Sequence, residues 1–307
     1  MSEAIVQIKN LYKSYGKIKA VDDISFNVFK GEIFGLVGPN GAGKTTTIEC
    51  IEGLRKPSSG SIDVLGFNPT KDGRNLRKYI GIQLQQSELP ERLKVWEALE
   101  LFNSFYHKTI KWPSLLDDLG LKEKQKSYFD KLSGGQKQRL FIALALINDP
   151  DVLFLDELTT GLDPQARRNT WKLIENIRKK GKTIFLTTHY MEEAERLCNR
   201  VAIMNHGKII ALDTPENLIR DIDVEQRLIF NLVQDFDINL IKQLSTITNA
   251  EQKANKIVVY GKDQSMVSDV INLLVKNNIR FLNLKTEQAT LEDVFLTLTG
   301  SEMEKEE

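Results

Sequence analysis

Residues 33–45 read Ile-Phe-Gly-Leu-Val-Gly-Pro-Asn-Gly-Ala-Gly-Lys-Thr, a short apolar run that ends in a glycine-rich loop. The run 33–37 is apolar on both faces, which is how a buried parallel strand reads. The loop Gly38-Pro39-Asn40-Gly41-Ala42-Gly43-Lys44-Thr45 fits the pattern G-x-x-x-x-G-K-[ST]. Its glycines let the backbone fold tightly around a phosphate. Its N–H groups and the N-terminus of the following helix supply partial positive charge. Lys44 adds a full charge for β- and γ-phosphates, the Thr45 hydroxyl can hold Mg²⁺, and Thr46 lies beside it on the same helix start. From ordinary residue frequencies, a chance match in a chain of this length is on the order of 1 %.

Two further runs repeat the design. Residues 152–155 (VLFL) end in Asp156-Glu157, and residues 183–188 (TIFLTT) end at His189. Alternating with helix-compatible stretches, they predict an α/β sheet covered by helices. Residues 5–11 and 24–28 alternate more and read as antiparallel strands. Residues 200–204 and 208–212, around Asn205-His206-Gly207, read as a hairpin. The stretch 86–149 carries few strand signals and reads as a helical insertion, with a helix expected over 94–107. A phosphate loop of this kind needs a carboxylate at a neighbouring strand end to hold Mg²⁺, and Asp156 fits. Glu157, one residue on, is placed to take a proton from an attacking water.

Beyond Asp213-Thr214-Pro215 the texture changes. Strands at 227–233, 246–252, 256–260 and 280–284, with helices at 239–244 and 265–276, give βαββαβ, the ferredoxin-like order. A closing helix is expected at 290–298. The domains expected are therefore 1–215 and 216–300, with an acidic, disordered tail over 301–307.

Composition limits the alternatives. The chain has 307 residues, 41 % hydrophobic and 27 % charged, which is ordinary globular composition. Lys+Arg and Asp+Glu both count 42, so the formal charge is zero, whereas nucleic-acid binders are more often basic. The longest strictly apolar run is residues 140–147, far short of the roughly 20 residues of a membrane span, and no signal peptide opens the sequence. Cys50 and Cys198 form no metal or disulfide pattern and read as packing residues; reduced thiols fit a cytoplasmic protein. Arg167, Arg168, Arg178, Lys179 and Lys180 read as a solvated helix face.

Leu132-Ser133-Gly134-Gly135-Gln136 precedes an apolar helical stretch. Ser133 and Gln136 have capping-box spacing, while the successive glycines make a candidate anion site. Local physics leaves both readings open. The ordered set of phosphate loop, LSGGQ at 132–136, Asp156-Glu157, Gly161-Leu162-Asp163 and His189 resembles the nucleotide-binding subunit of an ABC transporter over roughly residues 1–215.

That resemblance implies a core with a RecA-like parallel sheet, an antiparallel β subdomain and the helical insertion. It implies ATP as substrate and Mg²⁺ as cofactor. Tyr15 matches the aromatic that stacks on adenine. Gln85 matches the glutamine linking the metal site to the helical insertion, with Gln83 and Gln86 as near alternatives. Ser133, Gly134, Gly135 and Gln136 match the signature that covers the γ-phosphate bound by a second copy in a head-to-tail dimer. Asp163 matches the loop crossing that interface, and His189 the switch histidine that touches the γ-phosphate. Leu158 stands where the family usually has proline, leaving that segment a little freer. The partner implied is a separately encoded membrane permease, placing the chain on the inner face of the cell membrane, with no nucleic acid expected. A non-transport ATPase of the same family, acting on ribosomes or DNA, is the alternative. The single phosphate loop, single LSGGQ and lack of cysteine clusters weigh against it. TLEDVFLTLTG at 290–300 resembles the C-terminal signature of drug-export ATPases of the daunorubicin-resistance type. Taken alone, that stretch is an amphipathic helix.

Overall fold

The computed structural model describes residues 3–85, 87–222, 225–234, 236–261, 265–287 and 289–300. The chain divides into two compact units at Pro215/Glu216. Strands of the first unit are β1 (Ala4–Tyr15), β2 (Ile18–Phe29), β3 (Ile33–Val37), β4 (Ser59–Val64), β5 (Ile80–Gln83), β6 (Val152–Asp156), β7 (Thr183–Thr188), β8 (Arg200–Asn205) and β9 (Lys208–Asp213). A six-stranded sheet runs in the order β5-β6-β7-β3-β8-β9, parallel except for β9. A three-stranded antiparallel sheet has the order β2-β1-β4.

The apolar runs behave as their composition requires. Every residue of β3, β6 and β7 is buried. Each large apolar side chain so buried contributes roughly 1.5–3 kcal/mol. Both sheets share one core: Phe26 of β2 stacks on Phe34 of β3 with ring centroids 5.1 Å apart, and Phe185 of β7 lies 5.5 Å from Phe34.

Helices of this unit are α1 (Lys44–Ile51), α2 (Pro69–Leu76), α3 (Val95–Asn103), α4 (Trp112–Asp118), α5 (Gly134–Leu146), α6 (Pro164–Lys179) and α7 (Met191–Leu197). Two glycines set how closely helices approach the sheet. A Cβ on Gly81 of β5 would meet the Ala145 carbonyl oxygen of α5 at 2.0 Å, and one on Gly35 of β3 would meet Cys198 Sγ at 2.6 Å. Cys198 and Cys50 are buried thiols; burial pushes Cys50 up to about 11, so neither is poised to react.

Between β5 and β6 the described residues contain helices and short 3₁₀ turns and no named strand, as the sequence predicts. The helix expected over 94–107 stops at Asn103. Ser104 caps it, its hydroxyl donating to the Leu101 carbonyl at 2.6 Å in competition with the helix ladder. β1 and β2 run well past the expected 5–11 and 24–28, because polar positions such as Lys13, Ser14 and Lys19 continue the ladder through register shifts. β4, β5 and α2 are additional to the elements read from sequence.

In the second unit, α8 (Pro215–Asp221) carries the chain across the boundary. Then come β10 (Gln226–Leu232), α9 (Asn239–Lys242), β11 (Asn249–Lys253), β12 (Lys256–Gly261), α10 (Met266–Lys276), β13 (Phe281–Glu287) and α11 (Leu291–Thr299). The sheet order β11-β12-β10-β13, antiparallel throughout, is the ferredoxin-like arrangement of βαββαβ. Leu228, Phe230, Ile257, Val259, Val270 and Leu274 lie at its core. β11 starts at Asn249 rather than 246, because the residues after α9 form a turn in which Ile247 N–H donates to Leu244. The Thr290–Asp293 capping box starts α11, and Gly300 ends it in a left-handed conformation (φ 68°). The expected tail at 301–307 lies outside the described residues.

Candidate functional site

β3 delivers the chain into loop 38–43, and α1 leaves it. Gly43, the N-cap of α1, has φ 103°, and a Cβ there would lie 2.1 Å from the Ala20 carbonyl oxygen. A Cβ on Gly38 (φ 156°) would lie 2.1 Å from the Met204 carbonyl oxygen. Both positions therefore require glycine. The first-turn N–H groups of α1, which include those of Thr45 and Thr46, have no partner within the helix and face the loop side. Lys44 is buried. Its Nζ donates to the carbonyls of Gly38 (2.9 Å) and Pro39 (3.1 Å) and lies 3.4 Å from Glu157 Oε1. Burial pulls its pKa below the ordinary lysine range, and the Glu157 charge opposes that pull.

Asp156 ends β6. Its Oδ1 accepts from the Thr187 hydroxyl of neighbouring β7 and lies 3.5 Å from Thr45 Oγ1. Burial pushes this carboxyl above the usual range, while Thr187 holds it down. Glu157 turns the chain off the strand with φ 48°, a conformation rare for a side chain of this size. Its N–H is held twice by Thr187, through the carbonyl oxygen at 3.2 Å and Oγ1 at 3.1 Å. Its Oε2 accepts from Gln85 Nε2 at 2.9 Å, and His189 Nδ1 lies 3.6 Å from the same oxygen, an ion-pair separation beyond hydrogen-bond length. The His189 contact, then the Lys44 charge, hold Glu157 below the usual carboxylate range despite burial. One group thus gathers loop 38–43, Lys44, Thr45, Gln85, Asp156, Glu157 and His189.

Gln83 is buried on β5, its amide donating to the Leu84 carbonyl, while Gln85 is the glutamine that meets Glu157. Gln86 lies outside the described residues. Tyr15 ends β1 half-exposed, with Lys13 Nζ 5.0 Å and Arg55 Cζ 5.4 Å from its ring centre.

A second group forms elsewhere on the same unit. Ser133 caps α5: its Oγ accepts from Gln136 N–H at 3.4 Å, and Gln136 Oε1 accepts from Ser133 N–H at 3.0 Å. Asp163 caps α6, its Oδ1 accepting from Gln165 and Ala166 N–H at 2.9 Å each. Ser133, Gly134, Gly135, Gly161, Leu162 and Asp163 line a cavity of about 390 Å³ that no residue of loop 38–43 lines. One chain therefore presents two separate candidate phosphate surfaces.

Three residues escaped the sequence reading. Thr187 was legible only as one of six strand residues. Glu193 carries no sequence signal of its own, and Arg167 reads as part of a solvated face. In the structure the Arg167 guanidinium sits 4.1 Å over the Tyr190 ring, next to His189. A basic residue one turn into α6 reaches inward, and spacing alone carried no signal of this.

A cationic, N–H-rich loop facing ionisable carboxylates suits a polyphosphate and an attacking water. Residues 21–160 match the family described as ABC transporter. The Nod factor export ATP-binding protein I of Rhizobium sp. (strain N33) is 38 % identical over 314 residues, covering 99 % of this chain and 100 % of that protein. The protein of the same name from Paraburkholderia xenovorans (strain LB400) is 39 % identical over 311 residues, again 99 % and 100 %. Among solved structures, a dimeric bacterial ABC transporter cassette matches with a TM-score of 0.62 at 27 % identity, covering 68 % of this chain and 98 % of that one.

Proposed function

The chain belongs to the ATP-binding proteins of ABC transporters, and for this ATPase we propose a division of labour among its residues and partners. Loop 38–43, Lys44 and the first turn of α1, with Thr46, take the phosphates. Tyr15 takes the adenine. The phosphates replace the Gly38 and Pro39 carbonyls as partners of Lys44. Glu157 accepts a proton from water, whose oxygen attacks the γ-phosphorus as ADP leaves. His189 holds Glu157 and touches the γ-phosphate.

Mg²⁺ fits the residues present. Thr45 and Asp156 offer hard oxygen donors 3.5 Å apart, and the amide oxygen of Gln85 completes a sparse set of the kind this ion accepts beside phosphates. When bound, it would neutralise charge on the β- and γ-oxygens.

The observation that carries the assembly is the separation of the two phosphate surfaces within one chain. We assign Ser133, Gly134, Gly135, Gln136 and Asp163 to the γ-phosphate held by a second copy, giving a head-to-tail dimer around two ATP molecules. ATP favours this closed state because its γ-phosphate bridges both surfaces, and hydrolysis removes the bridge. The dimer of the matched cassette supports this reading.

We further assign export as the direction and a separately encoded permease as the membrane partner, with the ATPase on the inner face of the membrane. Relatives named for export, aligned over 99 % of the chain, support the direction. We assign the TLEDVFLTLTG segment, most of it α11, to the drug-export subgroup that its sequence resembles. Among the described residues no helix is long and apolar enough to cross a membrane. The test is to recover a tagged Glu157→Gln variant with ATP and Mg²⁺ from detergent-solubilised membranes. A stoichiometric multi-span protein supports the assignment; ribosomal proteins or nucleic acid in its place refute it.

A further inference from the structure

Glu193, on α7, belongs to none of the motifs above, yet it is 1 % exposed. Its Oε1 accepts from the Thr159 hydroxyl at 2.9 Å and from the Trp171 indole N–H at 2.9 Å. The Thr188 hydroxyl, at the end of β7, acts on the same carboxyl by lowering its pKa. These three groups come from three elements. Thr159 lies in the loop between β6 and α6, two residues after Glu157 and four before Asp163. Trp171 lies in the middle of α6. Thr188 ends β7, immediately before His189. Thr159 and Trp171 are themselves buried, so water does not compete for these bonds.

A carboxylate suits this place because it only accepts, and all three neighbours can donate to it. Tyr190 N–H occupies the Thr188 oxygen at 3.0 Å, which leaves the Thr188 proton free to point at Glu193. Burial raises the Glu193 pKa, while Thr188, Trp171, Thr159 and the Arg167 charge each pull it down.

We propose that Glu193 is a positioning residue that locks the β6–α6 loop to the first turn of α7, which follows β7 and His189, and thereby fixes Glu157 against His189. The link is mechanical. Glu157 stands in a left-handed conformation at the start of that loop, and His189 follows Thr188 directly. A shift of Thr159 relative to Thr188 changes the 3.6 Å separation of Glu157 and His189. The same loop carries Gly161-Leu162-Asp163, which the proposed dimer places against the second copy. Glu193 thus also connects the partner-facing loop to His189. The last two points rest on the residue roles assigned under Proposed function; the tie itself does not.

The experiment uses the full chain with three variants: Glu193→Gln, Thr159→Val and the double variant. Hydrogen exchange is read without nucleotide, and turnover and nucleotide affinity are read with Mg²⁺ and ATP. Thr159→Val removes one hydroxyl at constant volume and keeps the fold even where Glu193→Gln loosens it. The expected result is faster exchange over 157–163 and 188–190 in each single variant. Turnover falls about tenfold, nucleotide Kd stays within twofold, and the double variant is no worse than the poorer single one, because both break the same tie. A merely structural role would instead lower affinity and turnover together with the folded fraction. Unchanged exchange in both loops, or additive losses in the double variant, overturns the proposal. Faster exchange with unchanged turnover upholds the tie and refutes the assignment of Glu157 and His189 as the hydrolytic pair.

Discussion

Replacing Thr187 with valine keeps the side-chain volume and deletes one hydroxyl that does two jobs. It donates to Asp156 Oδ1 and accepts from Glu157 N–H. A hydrogen bond to a charged group is worth about 1.5–3 kcal/mol. The Glu157 N–H keeps its bond to the Thr187 carbonyl oxygen, so its loss is only partial. Stability should therefore fall by about 2 kcal/mol, measured by urea denaturation of the nucleotide-free chain. If half of that loss is expressed in the transition state, turnover falls roughly fivefold. The pH profile gives the sharper reading. Burial raises the Asp156 pKa and Thr187 lowers it, so the variant raises it further. Metal binding needs the carboxylate, and protons compete for it as pH falls through the folded pKa. The acid limb of the Mg²⁺-ATPase profile should move to higher pH. An unmoved acid limb with stability within about 0.5 kcal/mol of wild type would refute the role given to this hydroxyl.

Other outcomes follow from the same geometry. Glu52 is 1 % exposed, neither carboxylate oxygen has a hydrogen-bond partner, and burial raises its pKa well above the usual range. Folding thus binds a proton that the unfolded chain releases above its ordinary pKa, so stability drops as pH rises through that window. Glu52→Leu should stabilise the chain by about 1–3 kcal/mol at pH 7.5 and by less near pH 5, measured by denaturation at both values. Gly81→Ala should destabilise by about 2–3 kcal/mol, because its Cβ meets a backbone oxygen that only a shift of α5 could clear; a melting temperature equal to wild type would contradict the packing described. Lys44→Ala should abolish detectable binding of a fluorescent ATP analogue at micromolar concentration, and retained affinity would remove Lys44 from the phosphate site.

The phosphate loop was legible in the sequence because its backbone leaves no alternative to glycine at 38 and 43, and a steric requirement prints directly as residue identity. Asp156 and Glu157 were legible because they end an apolar run beside the phosphate loop, whereas His189, at the end of another run, gained its role only from the ordered set of motifs; β6 and β7 carry these ends to the same edge of the sheet. Thr187, Glu193 and Arg167 were not. Each acts through a partner far away in sequence, and a buried Glu within Met-Glu-Glu-Ala-Glu looks like any helical acid until α6 is packed against it. The outer ends of β1 and β2 were missed for a related reason. Their polar residues are held by pairing with each other, which hydrophobic patterning does not record. The fold of the second unit followed from alternating runs, whereas its element ends were set by local turns such as the one before Asn249.

The most direct test of the proposed composite site is a mass measurement by analytical ultracentrifugation. It compares Glu157→Gln with the double variant Glu157→Gln/Ser133→Asp, each saturated with ATP and Mg²⁺. Aspartate can still cap α5, and its charge opposes a phosphate arriving from a second copy. The account predicts a dimer for the single variant with ATP and a monomer with ADP. It predicts a monomer for the double variant even with ATP bound. A double variant that dimerises as readily as the single one, or a single variant that stays monomeric with ATP bound, would contradict a site completed by Ser133 of a second copy.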